Sequence, residues 1–219
     1  PVMAPAGGAR PIVIVDYHKG NLSSVERGLA EAGGNAVVSD DPAVIRAASG
    51  VVLPGVGNFG DGMEQLNRSG FVPFLKDAVR ANLPFLGICL GMQMLLDSSE
   101  EAPGVPGLSI FPGRVLRFPE RGWKIPQIGW NSISFDPGNP FLKGLGQDSF
   151  FYFVHSYYAL PDDPSVTAAR CTYMIEFAAA LSKGRIFAAQ FHPEKSQECG
   201  LAILRNFVTI CGKDGSEPC

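Results

Sequence analysis

The sequence predicts an α/β fold: a mostly parallel central sheet flanked by helices, with additional antiparallel strands in the second half. Three observations carry that expectation. Up to residue 96, short β-branched runs alternate with segments of helical spacing. After Pro103, prolines and glycines punctuate short apolar runs instead. Hydrophobic residues fill 46% of the 219 positions, enough for the full core of one medium-sized domain, and no internal repeat or linker divides the chain.

Taken in order, residues 12–15 form a short β-branched strand. Residues 21–32 carry Leu22, Val25 and Leu29 at helical spacing and end at Gly33-Gly34. Residues 36–38 give a second strand. Asp41-Pro42 pairs a capping side chain with a proline at the first helical position, which opens a helix. Residues 50–53 form a third strand, 71–83 a helix and 84–88 a fourth strand, followed by a helix-like run over 92–96. This alternation implies parallel strands covered on both faces. In the second half, residues 109–118, 128–135, 150–160 and 166–173 read as strands joined by hairpins or crossovers. Residues 186–191 form a last buried strand. Residues 201–210 close the domain as an amphipathic helix with Leu201, Leu204 and Val208 on one side.

Composition excludes several classes. The net charge is −3 and no basic run is long, so nothing points to nucleic acid or an anionic membrane. No apolar stretch approaches the roughly 18 residues of a membrane span. Residues 1–10 lack the basic-then-apolar signal pattern. The five cysteines (Cys89, Cys171, Cys199, Cys211, Cys219) are odd in number, widely spaced and without a CxxC pair. That spacing suggests neither a metal site nor a disulfide framework, and it fits a reducing, cytoplasmic setting.

The chemistry concentrates at Gly87-Ile88-Cys89-Leu90-Gly91. A buried run ending in Gly-x-Cys-x-Gly before a helix is a nucleophile elbow with sulfur in place of the usual serine oxygen. The glycines let the chain bend where a Cβ would clash, and the bend raises the thiol to the start of a helix, whose dipole favours thiolate. A cysteine nucleophile needs a base. Of the three histidines, His192 stands directly after the last buried strand, in Phe191-His192-Pro193-Glu194. Pro193 biases His192 toward extended backbone, where residues two apart point the same way, so Glu194 can reach the ring and hold its tautomer. Both Cys89 and His192 fall at strand ends, where parallel sheets gather functional groups. The developing oxyanion needs donors. One is the N–H of Leu90, directly after the nucleophile, and the glycine-rich loop Leu53-Pro54-Gly55-Val56-Gly57 supplies a second from Val56 or Gly57.

With Gly87 to Gln93 and His192-Pro193-Glu194 in hand, the sequence resembles the class I glutamine amidotransferases. Further segments resemble the glutaminase subunits of imidazole glycerol phosphate synthase, in histidine biosynthesis: Asp16 to Leu22, Pro54 to Gly57, Gly129-Trp130-Asn131, Phe153 to Tyr158 and Phe191 to Gln197. The resemblance implies one domain over residues 11–211, with 1–10 and 212–219 expected to be flexible. It implies hydrolysis of L-glutamine to glutamate and ammonia through a cysteinyl thioester, with no cofactor and no metal. Cys89 would be the nucleophile, His192 the general base and acid, and Glu194 the orienting carboxylate. Gly55, Gln93 and the main chain of Ser156 and Tyr157 would line the glutamine pocket. Gln93, four residues past Cys89, would face the same mouth. Two positions depart from the family pattern: Gln127 where histidine is common, and His18 where glycine is usual.

Nothing in the chain looks able to consume ammonia, and there is no phosphate-binding Gly-Lys-Ser or Gly-Lys-Thr loop. The resemblance implies a heterodimer with a (β/α)₈-barrel cyclase that receives the ammonia, with Asn21, Trp130 and Lys195 at the contact. Trp123, Ile125, Ile128 and Trp130 offer rigid apolar area of the kind that anchors interfaces, although Ile128 suits a core position equally well. Rival expectations are the glutaminase of the vitamin B6 pathway, a stand-alone thiol hydrolase, and a non-catalytic docking module on the same fold.

Overall fold

A computed structural model describes residues 10–147 and 149–212. The strands are β1 (Ile12–Val15), β2 (Ala36–Ser39), β3 (Gly50–Leu53), β4 (Phe85–Ile88), β5 (Ser98–Ser99), β6 (Gly113–Arg117), β7 (Gln127–Ser132), β8 (Ser134–Phe135), β9 (Phe150–His155), β10 (Tyr157–Pro161), β11 (Thr167–Tyr173), β12 (Ile175–Lys183) and β13 (Ile186–Ala189). The α-helices are α1 (Leu22–Glu31), α2 (Phe59–Arg68), α3 (Phe71–Arg80), α4 (Leu90–Gln93) and α5 (Gln197–Cys211).

The main sheet runs β2-β1-β3-β4-β13-β12-β10-β6-β5, with β11 and β8 continuing from β12. Its first five strands are parallel to one another. From β13 onward the pairings turn antiparallel, through β12, β10 and β6. A separate two-stranded antiparallel ribbon, β7-β9, stands beside it. The fold is therefore the mostly parallel, helix-flanked sheet with late antiparallel strands that the sequence predicts.

Alternation along the strands explains the layers. Ile12 and Ile14 face one core with Val25 and Leu29 of α1 and Ile203, Leu204 and Phe207 of α5. Val13 and Val15 face the other, with Phe59, Met63 and Leu66 of α2 and Phe71 and Leu75 of α3. Strands buried on both faces need continuous apolar runs, which is why β1, β3 and β4 are legible as such.

Several expectations need correction. The helix opened by Asp41 is a single 3₁₀ stretch, Pro42–Ala47, although Asp41 Oδ1 does accept from Ala43 N at 2.9 Å. Ala48 is already extended, because the chain must enter β3 two residues later. The expected strand over 150–160 breaks at Ser156 into β9 and β10, which belong to different sheets. Helix α2 and strand β12 lie outside the elements expected from sequence. The closing helix turns Leu201, Ile203, Leu204, Phe207 and Ile210 inward, while Val208 is only half-buried. The flexibility expected of the chain ends falls outside the described residues except at two positions. There Arg10 Nη2 donates to Ala48 O at 2.6 Å, and Gly212 N donates to Val208 O at 3.1 Å.

Candidate active site

β4 and β13 lie side by side and parallel, with Ile88 opposite Ala189. Cys89 follows Ile88 and His192 follows Ala189 by three residues, so adjacency of the two strands brings both groups to one edge. The bend sits on Cys89 itself, at φ 55° and ψ −109°, a left-handed conformation that L side chains rarely adopt. The Cys89 N–H is fixed to Ala189 O at 2.8 Å. The flanking glycines act by close approach: a Cβ on Gly91 would lie 1.9 Å from the Leu53 carbonyl oxygen, and one on Gly87 3.2 Å from Gly91. α4 is a single turn, so the dipole help expected for the sulfur is small.

His192 is held at three points. Its N–H donates to Tyr152 O at 3.0 Å, its carbonyl accepts from Ser196 Oγ at 2.6 Å, and its Nδ1 meets Glu194 Oε1 at 2.7 Å. Both side chains of the His-Glu pair are almost wholly buried, 2% and 1% exposed. Glu194 reaches the ring through a 3₁₀ turn, Pro193–Lys195, rather than along extended backbone, because Pro193 supplies a helical first position. His192 Nε2 is buried without a hydrogen-bond partner among the described residues, and Cys89 is the neighbour that couples to the ring beside Glu194.

Burial alone would push the His192 pKa down. Its interactions with Cys89 and Glu194 outweigh that and raise it to about 9. A pKa raised in the folded state gives stability that is full below the ordinary imidazole value of 6.5 and is lost as pH rises through about 9. The contribution of this group to the unfolding free energy is therefore expected to decline over that window. Urea unfolding at a series of pH values checks this, and in His192→Asn the decline should flatten.

Beside the pair opens a cavity of about 330 Å³, walled by Val56, Gly57, Cys89, Leu90, Gln93, Ser156, Tyr157 and His192 among others. The structure thus brings together nearly all the residues expected at the site. Leu90 is the first residue of α4, where an N–H has no intrahelical acceptor. Gly57 has φ 97° and a Cβ there would meet nothing within 4 Å, and Val56 is 40% exposed. Gln93 is buried: its Nε2 donates to Tyr157 O and to Gln190 Oε1, each at 3.0 Å. Gly55, expected to line the pocket, instead packs behind it, since a Cβ there would lie 2.9 Å from Gly91 N and 2.7 Å from the Tyr17 hydroxyl. A larger cavity, about 590 Å³, lies between Trp130, Phe150 and the start of α5, and touches neither Cys89 nor His192.

Sequence reasoning missed the supports. Tyr17 OH donates to Pro54 O at 2.9 Å and pins the glycine-rich loop. Ser196 Oγ, besides bonding His192, accepts from Tyr152 N at 3.0 Å. Glu101 lines the cavity and accepts from Phe59 N at 2.8 Å. His155 is buried, and its pKa falls to about 4 through burial and the nearby charge of His192, opposed by its bond to Tyr157. Its Nδ1 lies 2.8 Å from Tyr157 O and its Nε2 lies 3.0 Å from Gln127 Oε1. That contact explains how glutamine serves at position 127. His18 is exposed with φ 64°, which accounts for glycine being usual there. Glu101 falls in no motif; Tyr17, His155 and Ser196 fall in segments that carry the resemblance, but their contacts are set by tertiary neighbours.

At the same sheet edge, Asn21 precedes α1 without a side-chain capping bond, and Lys195 Nζ sits 6.0 Å from the Tyr152 ring, against which Trp130 packs edge-on. Trp123, Ile128, Trp130 and Phe150 are 47–59% exposed, so Ile128 is a surface residue and not a core one. Ile125 is partly buried against the core. No described helix is long and apolar enough to cross a membrane, and no described group of His, Cys, Asp or Glu could hold a metal ion.

Comparison with known proteins places the geometry among relatives. The family profile Glutamine amidotransferase class-I matches residues 13–211. The sequence is 50% identical over 202 residues to the imidazole glycerol phosphate synthase subunit HisH of Geobacter sulfurreducens, covering 90% of this chain and 97% of that protein. It is 48% identical to the protein of the same name from Methanothermobacter thermautotrophicus, covering 91% and 98%. Among solved structures, a glutamine amidotransferase superposes with a TM-score of 0.71 at 18% identity, covering 92% and 100% of the two chains. A putative GMP synthase component from Thermoplasma acidophilum superposes equally well, with a TM-score of 0.71 at 23% identity, covering 93% and 95%; at such identities these two speak for the fold.

Proposed function

The chain belongs to the class I glutamine amidotransferases, among the glutaminase subunits of imidazole glycerol phosphate synthase, and we propose that it hydrolyses L-glutamine through a thioester on Cys89. The observation that carries this reading is the buried His192–Glu194 pair set beside Cys89, on neighbouring strand ends, at the wall of one cavity.

With its raised pKa, His192 holds a proton at neutral pH and favours the thiolate of Cys89. The thiolate attacks the side-chain amide carbon of glutamine, and the oxyanion forms near the Leu90 N–H and the loop amide of Val56 or Gly57. Collapse breaks the C–N bond; the leaving nitrogen takes the His192 proton and departs as ammonia. The neutral ring then accepts a proton from water, whose oxygen attacks the thioester carbon. Glutamate leaves, and the thiolate and imidazolium are restored. Glu194 keeps Nδ1 engaged throughout, so Nε2 is the nitrogen that exchanges protons. Gln93, Ser156 and Tyr157 line the space for the substrate.

Ammonia passes to a cyclase partner, which we take to be a (β/α)₈ barrel. The outward face of the β7-β9 ribbon supports the docking side: Ile128, Trp130 and Phe150 are exposed there, and Val154 of the same ribbon lines the cavity. We assign Asn21, Trp130 and Lys195 to this contact; Trp130 belongs to the ribbon and Lys195 Nζ lies 6.0 Å from the ring of its Tyr152. The free thiols of Cys89, Cys171, Cys199 and Cys211 support a cytoplasmic setting. The name shared by the relatives at about 50% identity favours this reading over the vitamin B6 glutaminase. The triad geometry favours it over a docking module.

The test is ammonia release from glutamine by the purified chain, alone and with a cyclase partner and its ligand. Release that rises with partner and ligand is expected. No release in either state would overturn the reading, and release indifferent to the partner would favour a stand-alone hydrolase.

A further inference from the structure

Gln190, the residue directly after β13, is fully buried and stands against the sulfur. Its N–H bonds Ala179 O at 2.9 Å, so its backbone is fixed to β12. Its side-chain Nε2 lies 3.7 Å from Cys89 Sγ, and its Oε1 is the acceptor for Gln93 at 3.0 Å. The two amides orient each other. The Tyr157 carbonyl can only accept, so the Gln93 atom 3.0 Å from it is the nitrogen. The second hydrogen of that nitrogen must meet an oxygen. Gln190 therefore turns its carbonyl to Gln93 and its NH₂ to the sulfur. With both hydrogens engaged, Gln93 keeps only its oxygen free, as an acceptor at the cavity wall.

We propose that Gln190 is a further catalytic residue: its side-chain N–H stabilises the Cys89 thiolate, and its carbonyl holds Gln93 with the acceptor facing glutamine. The inference rests on Cys89 being the nucleophile. A hydrogen bond to sulfur strengthens when the sulfur carries charge, and α4 is too short to supply that stabilisation through its dipole. The titratable groups around the sulfur are His192 with Glu194 behind it, Tyr17 after β1, Glu101 across the cavity, and His155 beyond His192. Gln190 is the neutral donor among them, so an apolar replacement changes no charge.

The experiment follows alkylation of Cys89 by iodoacetamide against pH, read by mass spectrometry. Alongside it, kcat and KM for glutamine are measured with the cyclase partner present. Gln190→Met should move the thiol titration up by about one pH unit and raise KM several-fold as Gln93 loses its partner. Gln190→Glu, close in shape, should move the titration at least as far, because a carboxylate oxygen replaces the donor, while KM rises less. A structural role alone would lower the melting temperature and leave the titration where it was. An unmoved titration in Gln190→Met, or in Gln190→Glu should the former not fold, overturns the proposal. Cys89→Ser separates the two levels. If it retains glutaminase activity, the nucleophile assignment fails; if it is inactive and the Gln190 variants titrate like the parent, only the present inference fails.

Discussion

Cys89→Ala should abolish glutamine hydrolysis, lowering turnover by about 10⁴-fold or more, in line with losses seen when the nucleophile of a triad is removed. The alternative chemistry, direct attack of water helped by His192, has no covalent intermediate and leaves only the oxyanion donors to lower the barrier. The fold should persist. Alanine takes the same side as the thiol at a position 8% exposed, and the strain at φ 55° is common to both residues. Adding His192→Ala to Cys89→Ala should cost little more, because residues that act as one unit are not additive. Ammonia release with the partner present, together with thermal melting of each variant, measures both halves of this expectation.

The second large effect falls on stability. Gly91→Ala should destabilise the chain by about 3 kcal/mol or more, at the upper end of overpacking costs. The new Cβ would lie 1.9 Å from the Leu53 carbonyl oxygen and 2.9 Å from its carbon, and both are backbone atoms of a strand in the middle of the parallel sheet. No side chain can rotate away to relieve the overlap, so α4 must lift off β3 and carry Cys89 with it. Gly57→Ala makes the contrasting control. A Cβ there meets nothing within 4 Å, and its cost is confined to the positive φ of 97°. Urea unfolding of the two variants should separate them clearly.

What could be read from the chain divides along physical lines. Strands buried on both faces announce themselves by unbroken apolar runs, so β1, β3 and β4 were legible within a residue. β12 was not, because Ala178-Ala179-Ala180 carries little strand preference and owes its conformation to neighbours on either side. α2 was hidden by Gly60 and Gly62, although Phe59, Met63 and Leu66 sit at helical spacing and Asn58 caps it through bonds of 2.7 and 3.3 Å. The division of 150–160 between two sheets depends on which partners β9 and β10 find, which no local pattern encodes.

At the site, the meeting of Cys89, His192 and Glu194 was legible because each stands at a short fixed spacing from a strand end. The way Glu194 reaches His192 was not, since Pro193 favours extended backbone before it and a 3₁₀ turn after it. Gln190, Ser196, Tyr17 and His155 acquire meaning only once β4, β13, β9 and β10 are assembled. Gln190 and His155 are polar side chains in runs that would otherwise read as core, and Tyr17 and Ser196 lie in polar loops after strands. The displacement of Gly55 from the pocket wall to the back of the elbow has the same origin: its contacts are with Tyr17 and Gly91, far away in sequence.

Reaction of the native chain with a glutamine analogue bearing an electrophilic carbon, followed by mapping of the modified residue, bears most directly on the role proposed for Cys89 beside His192. Stoichiometric modification of Cys89 is expected, slowed by added glutamine and nearly lost in His192→Ala, with Cys171, Cys199 and Cys211 unmodified. Modification spread over those other thiols, or an unreactive Cys89 in a folded chain that still releases ammonia, would contradict it.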